Sequence, residues 1–478
     1  MKLLAHSTSQ KLLGQGDAAI SSEAASYNFP GMDGVAGVQA QFLDMIADGQ
    51  GDDGAVSDIT PTVWQLGAMQ PSDASWGSAF PTMAYRVWMT TGRTDVIKKH
   101  LPSLVKYIDS LSSRLKSSGM AKNNLGHYGD WFPPSNGQKG STELVSAGAF
   151  IQDTRHVAAM AGAVGDTKTQ SRLTALVAST IKEFHAAWLD KGSDPRLWWA
   201  TDRRIGNGGQ TDIGTALWLD VVPPADKSAV VETLVKDIQS HGYHTTSGIL
   251  GTRSVYEALA MNGRMDVALA MLNQTSFPSY GFMVENPYEP STTLWEKWGA
   301  SNLTDDQGDS SRNHVMYGAI SAFFWKHLGG ITPASAGWTK VRVAPSFGEL
   351  CDEVETSILP AGGEPVLSRV DATLGTVAGD VRVHWELEAP AGDVAQRATA
   401  ALRVSVPAGA EDGAEVVIPC VGRNTVITEA VSGRVVWCDG GRPAGEQLAG
   451  RLLSARRSEH GGASLFVASG DYRFVRTG

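Results

Sequence analysis

Val96-Ile-Lys-Lys-His-Leu-Pro-Ser-Leu-Val-Lys-Tyr-Ile108 sets apolar residues at 96, 97, 101, 104, 105 and 108, the one-sided stripe of an amphipathic helix. The same spacing appears in Val35-Ala-Gly-Val-Gln-Ala-Gln-Phe-Leu-Asp-Met-Ile46, Leu173 to Phe184, Ala229 to Ile238, Val255 to Met261 and Met316 to Leu328. Turns such as Thr91-Gly-Arg-Thr94, Val164-Gly-Asp166, Pro223-Pro-Ala-Asp226 and Asn262-Gly-Arg264 separate these segments, several offering Asp or Thr as a helix N-cap. About ten or eleven helices fit this periodicity. Short connections alternate with long Trp/Gly/Pro-rich ones at 126–140 and 273–311. Paired helices with their long loops gathered at one end describe an α/α toroid. A helical bundle satisfies the same spacing, because spacing carries no information on closure.

After Trp338 the period changes from helical to two. Lys340-Val-Arg-Val-Ala, Val381-Arg-Val-His-Trp-Glu-Leu, Leu402-Arg-Val-Ser-Val, Ala414-Glu-Val-Val-Ile-Pro, Thr425-Val-Ile-Thr and Tyr472-Arg-Phe-Val alternate apolar and polar residues between Gly, Pro and Asp runs. This predicts an antiparallel β-sandwich, and so a mainly α protein with a β domain, divided as 1–334 and 335–478.

The 478 residues (50.7 kDa) suffice for two or three domains with a sizeable core. With 42% hydrophobic and 19% charged residues, the composition excludes a disordered chain. A net charge of −10 without a basic run argues against nucleic acid as a partner. No apolar run reaches the ~20 residues that span a bilayer, so no membrane partner is expected. Met1-Lys-Leu-Leu-Ala-His-Ser is too short in its apolar part for a signal peptide, and the compartment of this soluble chain stays open because a leader would lie upstream. Three cysteines (Cys351, Cys420, Cys438), odd in number and late in the chain, argue against a disulfide framework. Zinc spacing, a phosphate-binding glycine loop and a Gly-x-Ser-x-Gly elbow are absent from the sequence.

Ser291-Thr-Thr-Leu-Trp-Glu-Lys-Trp298 carries the most chemistry. Glu296 lies between Trp295 and Trp298. Exposed indoles are costly unless they cover something flat and apolar, such as a sugar ring, and a carboxylate beside one can activate a water for glycosidic attack. Arg312-Asn-His314 supplies donors able to reach the same place. The plainer reading is a helix end with two core tryptophans and a solvated glutamate.

Taken together, these segments resemble glycoside hydrolase family 78, the α-L-rhamnosidases, from about residue 7 to the C-terminus. The matching segments are collinear: Gln15-Gly-Asp-Ala18, Ala25-Ser-Tyr-Asn-Phe29, Gly54-Ala-Val-Ser-Asp58, Ser75-Trp-Gly77, Gly129-Asp-Trp131, Gly209-Gln-Thr211, Gly248-Ile-Leu-Gly-Thr252, Gln274 to Gly281, Thr293-Leu-Trp-Glu-Lys-Trp298, Asn313-His314 and Ala336-Gly-Trp338. The resemblance implies an (α/α)6 toroid followed by a small β-sandwich, with the first barrel helix missing from the chain. It implies inversion at the anomeric carbon of a rhamnose-containing glycoside or polysaccharide, with no cofactor. Glu296 matches the general base, with Lys297 or a hydrogen-bonding neighbour helping to keep it ionised. Asp17 matches an aspartate that binds rhamnose hydroxyls. Trp76 and Trp131 match sugar-pocket tryptophans, Asp130 adjoins the second, and His314 matches a histidine contacting the sugar. On the residues alone, Asp17 and Asp130 read equally as helix caps, Trp76 and Trp131 as core fillers, and His314 as a satisfied loop imidazole.

One departure stands out. Aligned without gaps on Asp17, the general-acid position falls on Gln10, which donates a hydrogen bond but transfers no proton. In the family's acid motif, Asp-Cys-Pro-x-Arg-Glu-Lys-Leu-Gly-Trp-x-Gly-Asp, the first aspartate becomes Ala5, the arginine Ser9 and the tryptophan Gly14. Loss of the acid is expected to cost about 10²–10⁴ in rate for a poor leaving group and less for an activated aryl rhamnoside. A missing helix is expected to leave an apolar face open and to reduce stability. Two alternatives remain: a non-catalytic rhamnoside-binding protein, which Gln10 favours, and another α/α-toroid enzyme acting on a different sugar, such as a glucuronyl hydrolase or phosphorylase. Asp305, Asp306 and Asp309 read as solvated loop aspartates, with a structural calcium site as the alternative.

Overall fold

The computed structural model describes residues 13–29, 33–61, 71–134, 140–188, 209–287, 289–299, 310–347, 367–388, 399–419, 421, 425–438, 452–458 and 461–477. Gln10, Ala5, Ser9, Cys351, Cys420, Asp305, Asp306 and Asp309 lie outside these residues.

The helical part is a ring with two layers. Its inner layer runs α1 (Gln15–Asn28), α4 (Ala79–Thr91), α6 (Thr142–Ala163), α8 (Gln210–Trp218), α10 (Ile249–Met261) and a last helical segment from Met316 to Leu328. Each inner helix packs on the next, and the last segment packs back onto α1, so the ring closes. Outside it lie α2 (Asp33–Asp48), α5 (Asp95–Ser118), α7 (Thr167–Trp188), α9 (Pro224–Ser240) and α11 (Met265–Leu272), each packed on its neighbours in the inner layer. A toroid, rather than an open bundle, is the outcome.

The two layers follow different chemistry. On α7, facing solvent along one side, Leu173, Thr180, Phe184 and Trp188 are buried in a narrow stripe. Helix α1, Gln-Gly-Asp-Ala-Ala-Ile-Ser-Ser-Glu-Ala-Ala-Ser-Tyr-Asn, is covered on nearly every side, so small Ala, Ser and Gly replace an apolar stripe. Caps set the ends. Ser141 accepts from the Leu144 N–H at the start of α6, Asp166 from Thr169 at the start of α7, and Gly92 (φ 73°) closes α4 in the left-handed region. The last segment tightens and then loosens: a 3-10 turn at Met316–Ala319, α13 at Ile320–Phe323 and a π turn at Phe324–Leu328. Phe42, Leu43, Phe80, Leu104, Phe150 and Leu234 are buried between the layers, worth about 1.5–3 kcal/mol each.

Beside the ring, the short strands β1 (Leu13–Gly14) and β2 (Ile59–Thr60) pair, and α12 (Tyr280–Glu285) lies in the loop before the last segment. The sheet part begins with β3 (Ile331–Pro333) and β4 (Val341–Val343), the first of these just before residue 335. It continues through β5 (Arg369–Thr376), β6 (Gly379–Glu388), β7 (Thr399–Val406), β8 (Ala414–Ile418), β9 (Val426–Glu429), β10 (Arg434–Cys438), β11 (Leu452–Arg457), β12 (Ala463–Val467) and β13 (Gly470–Thr477). The strand order is β10-β9-β13-β7-β6-β5 in one sheet and β11-β12-β8-β4-β3 in the other. Every described pair is antiparallel except β4 with β8, which is parallel. Val383, Trp385, Leu402 and Phe474 from one sheet meet Val416, Ile418, Leu465 and Val467 from the other in a shared core. This sandwich rests on the ring: Tyr27 Oη donates to Ile331 O at 3.1 Å, and Trp385 Nε1 to Leu328 O at 2.7 Å.

Among the described residues no helix is long and apolar enough to cross a membrane.

Candidate active site

Among the described residues, the loops that carry the candidate residues lead into the N-terminal ends of inner helices. Asp17 is in the first turn of α1, Trp76 in the short α3 (Ala74–Gly77) ahead of α4, and Asp130 and Trp131 precede α6. Glu296 and His314 precede the last segment. Helix N-termini therefore converge on one face, each with a partial positive charge and unpaired N–H groups that favour carboxylates.

Two strands of loop hold Glu296 against His314. Glu296 N donates to Ser311 O at 2.9 Å, His314 N to Leu294 O at 2.8 Å, and Thr293 Oγ1 to Arg312 O. Ser311 N–H donates to Glu296 Oε2 at 3.2 Å, fixing the carboxylate. The imidazole of His314, 5% exposed, then spans two acids. Its Nδ1 lies 3.9 Å from Glu296 Oε2, and its Nε2 lies 2.9 Å from Asp17 Oδ1, off the hydrogen-bonding axis. Asp17 and Glu296 remain about one-fifth exposed. These three are brought together as expected of a polar site open to a ligand.

An aromatic wall adjoins them. Trp76 packs on Tyr128 with ring centroids 4.3 Å apart, and Trp131 meets both edge-on, at 5.2 Å from Tyr128 and 6.1 Å from Trp76. Gly16, one residue before Asp17, lies so close that a Cβ there would come within 2.5 Å of the Trp76 indole. Trp131 keeps part of its surface exposed, whereas Trp76 is 8% exposed.

Several expectations are corrected. Trp295 and Trp298 are 2% and 1% exposed, so neither offers a face to a sugar. They pack among Met283, Met316 and Tyr317, and Trp298 Nε1 donates to Ser247 O at 2.9 Å. Burial against an apolar cluster with a satisfied N–H makes them the floor under the Glu296 loop. Asp130 is fully buried and contacts no open space. Its Oδ2 accepts from Thr211 Oγ1 and Gly248 N (2.7 Å), and its Oδ1 from Gly251 N (2.9 Å). It anchors the N-terminus of α10 to the Trp131 loop. Burial raises its pKa, opposed by those donors. Lys297 turns its ammonium over the Phe132 ring at 4.5 Å, a cation–π contact that ties the same loops. Arg312 pairs with Glu289 at 2.6 Å.

Sequence reasoning missed a second cluster beside the aromatic wall. Asp58 is 2% exposed; its Oδ1 accepts from Asp73 N at 2.9 Å, and its Oδ2 faces Tyr128 Oη at 3.0 Å and His127 Nε2 at 3.3 Å. Asp73 Oδ1 caps α3 at Ser75 N, while its Oδ2 accepts from His127 N (2.6 Å) and Tyr128 N (2.8 Å). Burial pushes Asp58 up to about 6 against these donors, and burial with the adjacent carboxylate lifts the Tyr128 phenol. The segment ending at Asp58 stands among the collinear matches, but nothing local relates it to residues 127 and 128.

Among the described residues no group of three or more His, Cys, Asp or Glu is placed to hold a metal ion.

A closed ring of helical hairpins, with its long loops meeting over acids and an imidazole at the helix N-termini, is an α/α toroid with the layout of a glycosidase. Residues 10–328 match the bacterial alpha-L-rhamnosidase 6 hairpin glycosidase domain, and the chain belongs to that family. Residues 330–431 match the bacterial alpha-L-rhamnosidase C-terminal domain. An alpha-L-rhamnosidase of Streptomyces avermitilis is 28% identical over 351 residues, covering 72% of this chain and 30% of that protein. One from Alteromonas sp. is 25% identical over 377 residues, covering 75% and 37%. The solved alpha-L-rhamnosidase from Dictyoglumus thermophilum aligns with a TM-score of 0.74 at 25% identity, over 98% of this chain and 46% of that one. The chain thus spans about a third of the length of these curated relatives.

Proposed function

We propose that this chain hydrolyses terminal α-L-rhamnosyl residues from rhamnose-containing glycosides by inversion, with Glu296 as general base. The observation that carries the reading is the Asp17–His314–Glu296 arrangement on the loops the family match covers. With Oε2 of Glu296 held by the Ser311 N–H, Oε1 is the oxygen we assign to the attacking water. A base must be ionised and within hydrogen-bond reach of that water. Asp17 and His314 are assigned to rhamnose hydroxyls, and Trp131 with Trp76 to the apolar side of the ring. Gln10, at the aligned acid position, favours a second reading, a rhamnoside-binding protein without turnover.

The test is release of rhamnose from p-nitrophenyl α-L-rhamnopyranoside by the wild type and Glu296→Gln, with the melting temperature followed as rhamnose is added. Turnover abolished in the variant, with rhamnose still stabilising both, supports the hydrolase. Stabilisation without turnover in either supports the binder, and neither effect removes rhamnose from the reading.

A further inference from the structure

We propose that His127, oriented by Asp58, is the proton donor to the glycosidic oxygen in this chain. This rests on the hydrolase reading above and deepens it.

Inverting hydrolysis needs a donor on the leaving oxygen as well as a base on the water. The aligned position holds Gln10, which donates no proton. Among the described residues, His127 combines three properties that a donor requires. It is accessible, with a side chain 44% exposed. It is oriented, with Nε2 3.3 Å from the buried Asp58 carboxylate, which turns the Nδ1 edge of the ring away from that acid. It adjoins the sugar pocket, one ring from the aromatic wall: its centroid is 4.1 Å from Tyr128, which packs on Trp76 and Trp131.

The support is rigid. Asp73 holds the backbone N–H groups of His127 and Tyr128, and Asp58 holds the imidazole and the phenol. A buried carboxylate behind an exposed imidazole fixes its tautomer and stabilises the imidazolium. Besides Asp73, Arg114 is a charged neighbour of this pair among the described residues: its Nη1 donates to Ser72 O at 3.0 Å and its field reaches Asp58 and Asp73. Burial pushes the Asp58 carboxyl up to about 6, against the donors that face it.

The step balances with water alone. Nδ1–H passes its proton to the glycosidic oxygen as the C1–O bond breaks, with the bonding pair going to that oxygen. Water attacks C1 from the other face and loses a proton to Glu296. Rhamnose and the aglycone alcohol leave, and solvent carries the proton from Glu296 back to the imidazole. His127 is thus a catalytic residue and Asp58 its positioning residue.

The test compares wild type, His127→Gln and Asp58→Asn on methyl and p-nitrophenyl α-L-rhamnopyranoside, with pH profiles and rhamnose affinity by calorimetry. A methoxide leaving group needs protonation and a nitrophenolate hardly does. His127→Gln is expected to cut kcat/KM about 10²-fold or more on the methyl glycoside and less than about tenfold on the aryl one, with rhamnose affinity retained. Asp58→Asn is expected to move the alkaline limb of the methyl-glycoside profile, which a merely structural contact would not do. Equal losses on both substrates, no loss on either, or a wild type that cleaves only the aryl glycoside would overturn the proposal and leave the hydrolase reading standing. A wild type inert on both overturns the two together.

Discussion

Asp17 and Glu296 are joined through one imidazole: His314 stands 2.9 Å from the first and 3.9 Å from the second. The proposed base and the acid assigned to the sugar therefore share one neighbouring group. Glu296→Gln keeps shape and loses the base, so kcat is expected to fall about 10²–10⁴-fold with rhamnose still bound. His314→Ala should instead raise KM and lower kcat together, because both acids lose their neighbour. Steady-state kinetics on the aryl rhamnoside separates the two patterns.

Asp130 is expected to behave as a structural residue. Asp130→Ala leaves the Gly248 and Gly251 N–H groups and the Thr211 hydroxyl buried without their acceptor. At about 1–3 kcal/mol for each group left unsatisfied, urea denaturation should show a loss of roughly 3 kcal/mol or more. Wild-type stability with a raised KM alone would return Asp130 to the sugar site.

At the opposite end of α1, Lys326 Nζ bridges Glu257 (2.8 Å) and Glu23 (3.3 Å), with Arg86 on Glu23 (2.8 Å) and His327 on Glu257 (2.8 Å). Burial alone would push Glu257 up, but Lys326 and His327 overcome it and hold the carboxyl well below its usual range. Lys326→Met leaves two acids inside the ring without their shared cation. A loss of about 3–5 kcal/mol by urea denaturation is expected.

Asp58 gives a pH signature. Its pKa rises from 3.8 to about 6 on folding, so the folded state holds the proton more tightly. Its contribution to stability is fully present below about pH 4 and is lost as pH rises through about 6, at most about 3 kcal/mol. Between those limits the wild type should lose stability relative to Asp58→Asn, which has nothing to titrate. Parallel curves for the two proteins would contradict the raised value.

Gln10→Glu tests the alignment directly. In a His127→Gln background it is expected to restore methyl rhamnoside turnover by about 10-fold or more, because a carboxylic acid again stands at the aligned position. No recovery would mean that the register before Gln15 is wrong.

Apart from Val255–Met261 and Met316–Leu328, inner segments whose spacing was also plain, what could be read in advance follows exposure. Helices α2, α5, α7 and α9 lie on the outside with one face wet, and their stripes were plain in the residues. Inner helices α1 and α6, buried on almost all sides, left no stripe to find. The octapeptide around Glu296 pointed to a carboxylate that lies beside His314 and misjudged its neighbours, since a buried indole and a stacking platform look alike in one dimension. Asp130 misled for a related reason: an acid before a pocket tryptophan suits a ligand or a helix N-terminus equally, and only the donors around it decide. The Asp58–His127 pair joins residues some seventy positions apart, and the fold alone makes them neighbours.

Ring closure has a consequence for biogenesis. The first inner helix is completed by the last, and Asp17 meets His314 across about 300 residues of chain, a long-range contact of the kind that slows folding. On a ribosome, α1 emerges before the last segment and has no closing partner until Phe323 has followed it. For that interval the faces of α1 destined for the last segment stay uncovered, an apolar surface of the kind that makes incomplete folds prone to aggregate.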